Sequence, residues 1–466
     1  MTDLQAIETT LKQTLSESEV SSSVKDLEMS SHDTWPLMTK LNMLGQHPNQ
    51  ADIVVRARCE DDIIKVLAIA NEHKIPVTTR ALASSVTGQP LPTKGGIVLD
   101  ISEIPSEFYI NEANMTVTAT CSFNGGDLED LLSQQGWTMG HSPQSLYRST
   151  VGGWLATLAT GQFSSLYGGI EDLVIAYDVI LATGEKVTLK ANPRAAMGPD
   201  LRQLFLGSEG TLGIITSVTL KMFPLPEAEA LMTYEIPTVK EGLALMREIG
   251  AANLKPFLVR FYDTEEAKHA MQDLNFATPV LFLGSRGLPA MVDTEQGVLA
   301  DLVAKHGGKP LGSDGAKAWM ERRFDFSTVE NLLATKGGFG ETIEIAHNWD
   351  SIYPLWEELK QALAPLSDEV LSHFSHIYNQ GTSMYMILLS QTESDEIAVE
   401  RLRELWKTTM EVCIKHGAEL SHHHGGGLAR SPYSRRSLGS AHLVLQKLKQ
   451  AVDPNAILNP GKLGLD

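Results

Sequence analysis

Residues 140–169 read GHSPQSLYRSTVGGWLATLATGQFSSLYGG. Small residues recur at Gly152, Gly153, Ala156, Ala159 and Gly161. Such a run lets backbone lie close to a large flat ligand, because no side chain keeps it away. The same composition also serves close helix–helix packing, and composition alone does not separate the two. Two other stretches extend the pattern. TTRALASSVTGQP (78–90) sets Ser84, Ser85, Thr87 and Gly88 between a strand and a turn, where backbone N–H groups can converge on an anion and Arg80 can add charge. GSEGTLGII (207–215) is a third glycine-punctuated loop that runs into a strand. No GxGxxG lies between a strand and a helix, so a Rossmann nucleotide site is not supported.

The chain has 466 residues, 42% hydrophobic and 20% charged, which fits a globular protein of two or three domains. A net charge of −19 argues against nucleic acid or an anionic membrane surface as partner, yet leaves room for a local basic pocket. Cys59, Cys121 and Cys413 are widely spaced and odd in number, which points to free thiols in a reducing cytoplasm. MTDLQAIETTLKQ lacks the features of a secretory signal, and no apolar run is long enough to span a bilayer. A cytoplasmic protein without an integral membrane segment is expected.

Periodicity sets a helical extension (1–44) apart from a first α/β unit (45–227) and a second unit that follows a Pro-containing linker near residue 227 and spans 228–425, with residues 426–466 as the C-terminal segment after it. Residues 60–73, EDDIIKVLAIANEH, have helical spacing, whereas IVLDIS and TVTATCS are strand-like. In the second unit, FLVRFYD, PVLFLGSRG, ETIEIA and SMYMILLS alternate with helical segments, which predicts an antiparallel sheet covered by helices.

The segment SHHHGGGLAR (421–430) carries three consecutive histidines. If it is extended, His422 and His424 point one way and His423 the other. Two histidines on one face can ligate a metal, but a zinc site needs at least three protein ligands, and HFSH (373–376) would have to supply the rest. No metal is assigned. A solvated loop is the bland alternative. Acid–base work is favoured, since imidazole titrates near neutral pH. Arg260 alternates with apolar residues in FLVRFYD, and WMERRF offers Arg322 and Arg323, whose guanidinium forks suit a carboxylate or phosphate.

RALASSVTGQP, STVGGWLATLATG, YGGIEDLV, GSEGTLG and NPGKL, in that order, resemble the FAD-binding module of the vanillyl-alcohol-oxidase/PCMH flavoprotein family. The resemblance covers the chain from about residue 45 and implies an α+β fold of two lobes: a PCMH-type FAD-binding domain and a cap domain with an antiparallel sheet. It implies a pyrophosphate loop formed by Arg80, Ala81, Leu82, Ala83, Ser84, Ser85, Thr87 and Gly88. Around the isoalloxazine and adenine it places Pro143, Ser149, Thr150, Gly152, Gly153, Ala159, Thr160, Gly161, Ser164, Tyr167 and Gly168. Glu209, Gly210, Gly213 and Ile215 complete that lining, and Asn459 lies near the flavin edge. The family's loop usually begins Arg-Gly-Gly-Gly, and Arg80-Ala81-Leu82-Ala83 departs from it. No His or Cys stands in this loop, so FAD is expected to be held non-covalently.

Within the family the chain resembles the alkyl-dihydroxyacetone-phosphate synthases in GHSPQSL, SMYMILLS and SHHHGGG. By position this implies functional roles for His141, Tyr385, His422, His423 and His424. Glu330 stands where that subfamily has an arginine thought to hold the anionic substrate, which puts the synthase substrate in doubt. The expected function is oxidation of a CH–OH group of a small anionic hydroxy compound, with a synthase-like transferase as alternative. The electron acceptor is not specified by the sequence, which also leaves room for a homodimer.

Overall fold

In a computed structural model that describes residues 4–15 and 19–465, the alternating segments of the second unit pair into one seven-stranded sheet. Its strands lie in the order Lys309–Gly312, Ala228–Glu235, Val280–Gly287, Leu258–Tyr262, Glu369–Ile377, Gly381–Gln391 and Gly338–Asn348. Every neighbouring pair is antiparallel. The strands Ala228–Glu235 and Glu369–Ile377 were not legible as strands, because their polar residues interrupt the apolar pattern.

Alternation assigns the two faces of this sheet. One face carries Phe261, Phe374, Met384 and Ile345 in a single cross-strand row. It packs under the helices Val239–Ala251, Ile352–Leu363 and Asp395–His416, whose apolar residues join the same core cluster. The opposite face carries the row Tyr262, His373, Tyr385 and Glu344. That polar row is the floor of the site.

The first unit has two sheets. Ile53–Arg56, Ile97–Asp100 and Val77–Arg80 are parallel neighbours, with Val20–Ser21 added antiparallel at the edge. The helix Glu60–His73 covers them with Ile63, Val66, Leu67 and Ala70. The other sheet is antiparallel: Phe108–Asn111, Thr116–Thr120, Ile214–Lys221, Val174–Ile180 and Lys186–Thr188.

Residues expected to form a polar helical extension are helical but integrated. Helix Leu4–Thr14 buries Ile7 and Leu11 in the core of the parallel sheet. Helix Pro36–Met43 packs its apolar face into the core of the seven-stranded sheet, where buried Lys40 donates to Asp395 (2.9 Å) and the Thr335 carbonyl (2.7 Å). The segment SLGSAHLVLQKLKQAV (437–452), whose apolar spacing suits one continuous helix, breaks at Gly439, whose φ of 54° an L side chain rarely adopts. Among the described residues no helix is long and apolar enough to cross a membrane.

Phe261 is fully buried between Phe374 and the helix Val239–Ala251, where Gly242 leaves room for its ring. Phe261→Ala should lower unfolding free energy by about 3–5 kcal/mol, read as an earlier urea midpoint. An unchanged midpoint would mean that this contact does not hold the helix to the sheet.

Candidate functional site

Glu344 lies on the polar face with no solvent exposure. Its carboxylate accepts hydrogen bonds from the His424 N–H (2.8 Å), the Ser421 hydroxyl (2.8 Å) and the His422 N–H. Arg430, itself buried, donates to the Glu344 carboxylate (3.2 Å) and to the carbonyls of Leu420, Gly425 and Glu344. The loop 421–426 is therefore wrapped around one anion. Burial alone would raise the Glu344 carboxyl, but Arg430 and the three nearby histidines outweigh it and hold it at about 2.

This wrapping overturns the expected alternation of the histidines. Because the N–H groups of His422 and His424 both turn to Glu344, the segment is bent and not extended. Neighbouring rings meet: His422 Nδ1 lies 2.7 Å from His423 Nδ1. His423 Nε2 is hydrogen-bonded to the Tyr385 hydroxyl, and His422 Nε2 to the Tyr378 hydroxyl (2.7 Å). The result is one chain of hydrogen bonds, Tyr385–His423–His422–Tyr378.

HFSH folds against this loop. The strand Glu369–Ile377 has a bulge between Ser375 and Ile377, and His376 takes φ 61° as the extra residue. Bulges re-aim side chains. Here the bulge stacks His376 on His422 (centroids 4.9 Å apart) with Nδ1 on Ser164 Oγ (2.7 Å). His376, His422 and His423 offer ligand nitrogens within 4.8 Å of one another, a geometry that suits a metal ion. His373 stacks flat on Tyr385 (4.4 Å, 19°), its Nδ1 bonded to the Glu266 carboxylate (2.8 Å). Burial pushes Glu266 up to about 7.

Every histidine here is held neutral by burial. His422 and His423 are pushed down to about 3, His424 to about 4, and His373 and His376 well below the usual value. His141 is pushed to about 3 by burial, with His423 adding to the effect; it packs on Trp154 (4.5 Å), and neither ring nitrogen has a hydrogen-bond partner among the described residues. Burial, with Glu344 nearby, raises the Tyr385 hydroxyl.

The three arginines separate. Arg260 stands on the site face and donates to Tyr262 Oη (2.7 Å) and Gln162 Oε1 (3.0 Å), with His373 Nδ1 at 3.4 Å. Arg323 enters a cavity of about 290 Å³ shared with His141, Tyr147, Phe163, Glu129 and Arg286. Its Nε has no acceptor, and among the described residues no carboxylate pairs with it. Arg322 turns away to the Ala270 carbonyl. Glu330 is exposed and pairs with Arg148.

The flavin-loop residues divide likewise. Among the described residues the N–H groups of Ala81 to Val86 find no acceptor, and Ala83 has φ 51°. A left-handed residue in a loop brings successive N–H groups to one side, which fits a phosphate cradle. Buried hydroxyls of Thr78, Thr79 and Ser142 also lack partners, so these loops fit a polar ligand. Other positions meet protein instead. The Arg80 guanidinium donates to the Ser30 and His32 carbonyls, Ser85 Oγ and the Gly88 N–H go to Asp33, and Thr87 Oγ1 goes to Gln89. A Cβ on Gly152 or Gly161 would strike Cys121 or the Ser142 backbone, so these glycines allow chain-to-chain packing. Ser149 accepts from Trp154, and Thr150 caps the helix Val151–Thr157. Glu209 accepts from the Gly426 and Gly427 N–H groups, and Asn459 Nδ2 bridges the Gln89 and Glu209 carbonyls.

Sequence reasoning missed Glu344, Arg430, Tyr378, Glu266 and Asp33. Glu344, set between Ile343 and Ile345, carried a signal as a charged residue inside an apolar segment; the others lie in polar or mixed surroundings that give none.

Two family descriptions match: the FAD binding domain over residues 51–190, and the C-terminal domain of FAD linked oxidases over residues 225–463. An uncharacterised FAD-linked oxidoreductase of Escherichia coli K12, YgcU, is 32% identical over 426 residues, covering 88% of each chain. The alkyldihydroxyacetonephosphate synthase of Dictyostelium discoideum is 27% identical over 90% of this chain and 74% of its own. The glycolate oxidase subunit GlcD of Bacillus subtilis is 26% identical over 90% of each. A solved alkyldihydroxyacetonephosphate synthase superposes with a TM-score of 0.81 over 98% of this chain and 85% of its own, at 23% identity. The matched domains and these relatives define an FAD-dependent oxidoreductase. The chain belongs to the FAD-linked oxidase family, and its cofactor is FAD.

The electrostatics predict acid sensitivity. Histidine titrates near 6.5 when unfolded, so below that pH the unfolded chain binds more protons than the folded one. Folded pKa values are depressed, so this stabilisation is complete above the unfolded value and is lost as pH falls. Glu344 adds loss of the same sign below its ordinary value of 4.5. The melting temperature should fall steadily from about pH 7 to about pH 5; a flat profile would mean that the rings are solvated. Separately, Arg430→Met strands a buried carboxylate and should cost about 3–5 kcal/mol in chemical denaturation. A loss below about 1 kcal/mol would show that Glu344 does not depend on Arg430.

Proposed function

We propose that the enzyme oxidises a CH–OH group of a small hydroxy compound that carries an anionic group, with the hydroxyl proton leaving through Tyr385 and His423. The hydrogen-bonded chain Tyr385–His423–His422–Tyr378, beside Arg260 on one sheet face, carries this reading. FAD, when bound, supplies the hydride acceptor at its N5. The substrate's C–H bond gives up the hydride, and its O–H proton passes to the Tyr385 oxygen as the Tyr385 proton moves to His423 Nε2. The carbonyl product keeps the oxygen. His422 and Tyr378 extend the path, and the Glu344 carboxylate stabilises positive charge passing along it. His141 orients the substrate from the opposite unit.

Arg260 and Arg323 are the proposed partners of the anionic group. Arg323 favours an anion because it is desolvated without a carboxylate to neutralise it. The loop 81–86 would hold the pyrophosphate through its N–H groups, and FAD would sit without a covalent bond. Similarity to the synthases of Dictyostelium and other organisms supports a second reading, an ether-forming transferase that uses the same Tyr–His pair.

Anaerobic flavin absorbance decides between them. Bleaching by a 2-hydroxy acid with release of its keto acid supports the oxidoreductase. Bleaching only by acyl-dihydroxyacetone phosphate, with fatty-acid release, supports the transferase. Running the screen with and without chelator tests the His376–His422–His423 cluster for a metal. His423→Ala should keep the flavin and lose roughly 10²–10⁴-fold in turnover; unchanged turnover would remove that ring from the mechanism.

A further inference from the structure

The segment 30–35 lies against the flavin loop, and nothing in its composition marks it as a ligand site. Its contacts are numerous and directed. Thr34 donates twice through its hydroxyl, to the Ser84 carbonyl (2.9 Å) and the Ser85 carbonyl (2.8 Å), and once through its N–H to the Ser85 carbonyl (3.1 Å). Asp33 is buried, and a single oxygen, Oδ2, accepts from Ser85 Oγ (2.7 Å) and from the Gly88 N–H (2.8 Å). Its other oxygen accepts from the Trp35 N–H (3.1 Å). In return Arg80 clasps the carbonyls of Ser30 and His32.

These bonds have one consequence. The carbonyls of Ser84 and Ser85 are drawn to Thr34, while the N–H groups from Ala81 to Val86 are left without acceptors on the loop's remaining side. Glycine would let such a loop relax into either hand; Ala81, Leu82 and Ala83 do not. Ala83 holds a left-handed conformation, which for alanine needs support from outside the loop. Asp33 and Thr34 brace the residues that follow it, Ser84, Ser85 and Gly88, and that brace is fixed at its far end. Trp35 Nε1 donates to Glu341 (3.2 Å), and Lys40 to Asp395, so the segment is tied into the sheet and helices opposite.

We infer that residues 30–35 are a working part of the FAD site: Asp33 and Thr34 are positioning residues that hold the loop 81–88 with the N–H groups of Ala81 to Val86 facing the pyrophosphate, in place of the flexibility that a glycine-rich loop would have. The segment then contributes to affinity for the diphosphate half of the cofactor and not for the isoalloxazine.

The test uses the full chain freed of flavin, with FAD binding followed by quenching of flavin fluorescence and ADP as a competitor that carries the adenosine diphosphate half alone. Asp33→Ala should raise the Kd for FAD about tenfold or more, and Thr34→Val, at an exposed position, about threefold to tenfold. The inhibition constant of ADP should rise by the same factors, with the melting temperature of the flavin-free Thr34→Val variant unchanged. If Asp33→Ala does not fold, Thr34→Val decides. Wild-type FAD affinity in the variants that fold would overturn the inference. So would weakening confined to FAD, because the defect would then lie at the isoalloxazine.

Discussion

One buried carboxylate organises the site. Glu344 sits beneath the polar sheet face, where an unpaired charge would cost several kcal/mol. Arg430 neutralises it, and backbone N–H groups from two of the three histidines complete its hydrogen bonding. The loop meets that demand by turning the backbones of His422 and His424 inward. The rings are then forced outward beside Tyr385. Glu341, three residues earlier, shows that the environment sets the charge. It lies on the opposite face, bonded by the indoles of Trp35 and Trp406, and burial there raises it to about 8. One strand thus holds a carboxylate on its polar face and a carboxylic acid in its apolar core.

The sheet links the hydrophobic core to the chemistry by parity. Each strand that contributes Phe261, Phe374, Met384 or Ile345 to the core presents its next residue to the site. Those next residues are Tyr262, His373, Tyr385 and Glu344, and they stand side by side. A one-residue slip in any strand would turn the polar side chain into the apolar core and the apolar one into the polar face, so core packing fixes the register of the site. The bulge at His376 is the exception that adds function. Without it, His373 and His376 would fall on opposite faces.

Much of this was legible in the sequence because both signals have short range. Alternation in FLVRFYD, ETIEIA and SMYMILLS identified the strands, and motif order identified the flavin module. The chemical residue types in SHHHGGG and HFSH were also visible. Their arrangement was not, because it depends on contacts between residues 344, 378 and 422 that no local pattern encodes. Alternation failed for the histidines because it presumes an extended backbone, whereas Glu344 bends theirs. WMERRF shows the same limit. Adjacent arginines look equivalent in sequence, yet the end of the helix Asp314–Arg322 sends one to a backbone carbonyl and the other into a cavity.

The neutrality of the histidines constrains how the site moves a proton. A ring with a pKa near 3 is a poor resting place for a proton at pH 7, so no single histidine here acts as a stable base. The relay proposed above would avoid the difficulty. When Tyr385 passes its proton to His423 while receiving one from the substrate, each heavy atom exchanges a proton and no isolated cation has to persist in the apolar interior. Passage from His423 to His422 repeats the exchange across their facing Nδ1 atoms, and Tyr378 continues it. The anionic Glu344 lies close enough to favour positive charge in transit, and Arg430 keeps that carboxylate from accepting the proton itself. Burial and charge therefore act in opposite directions on the same rings, which in the proposed relay would pass a proton without storing it.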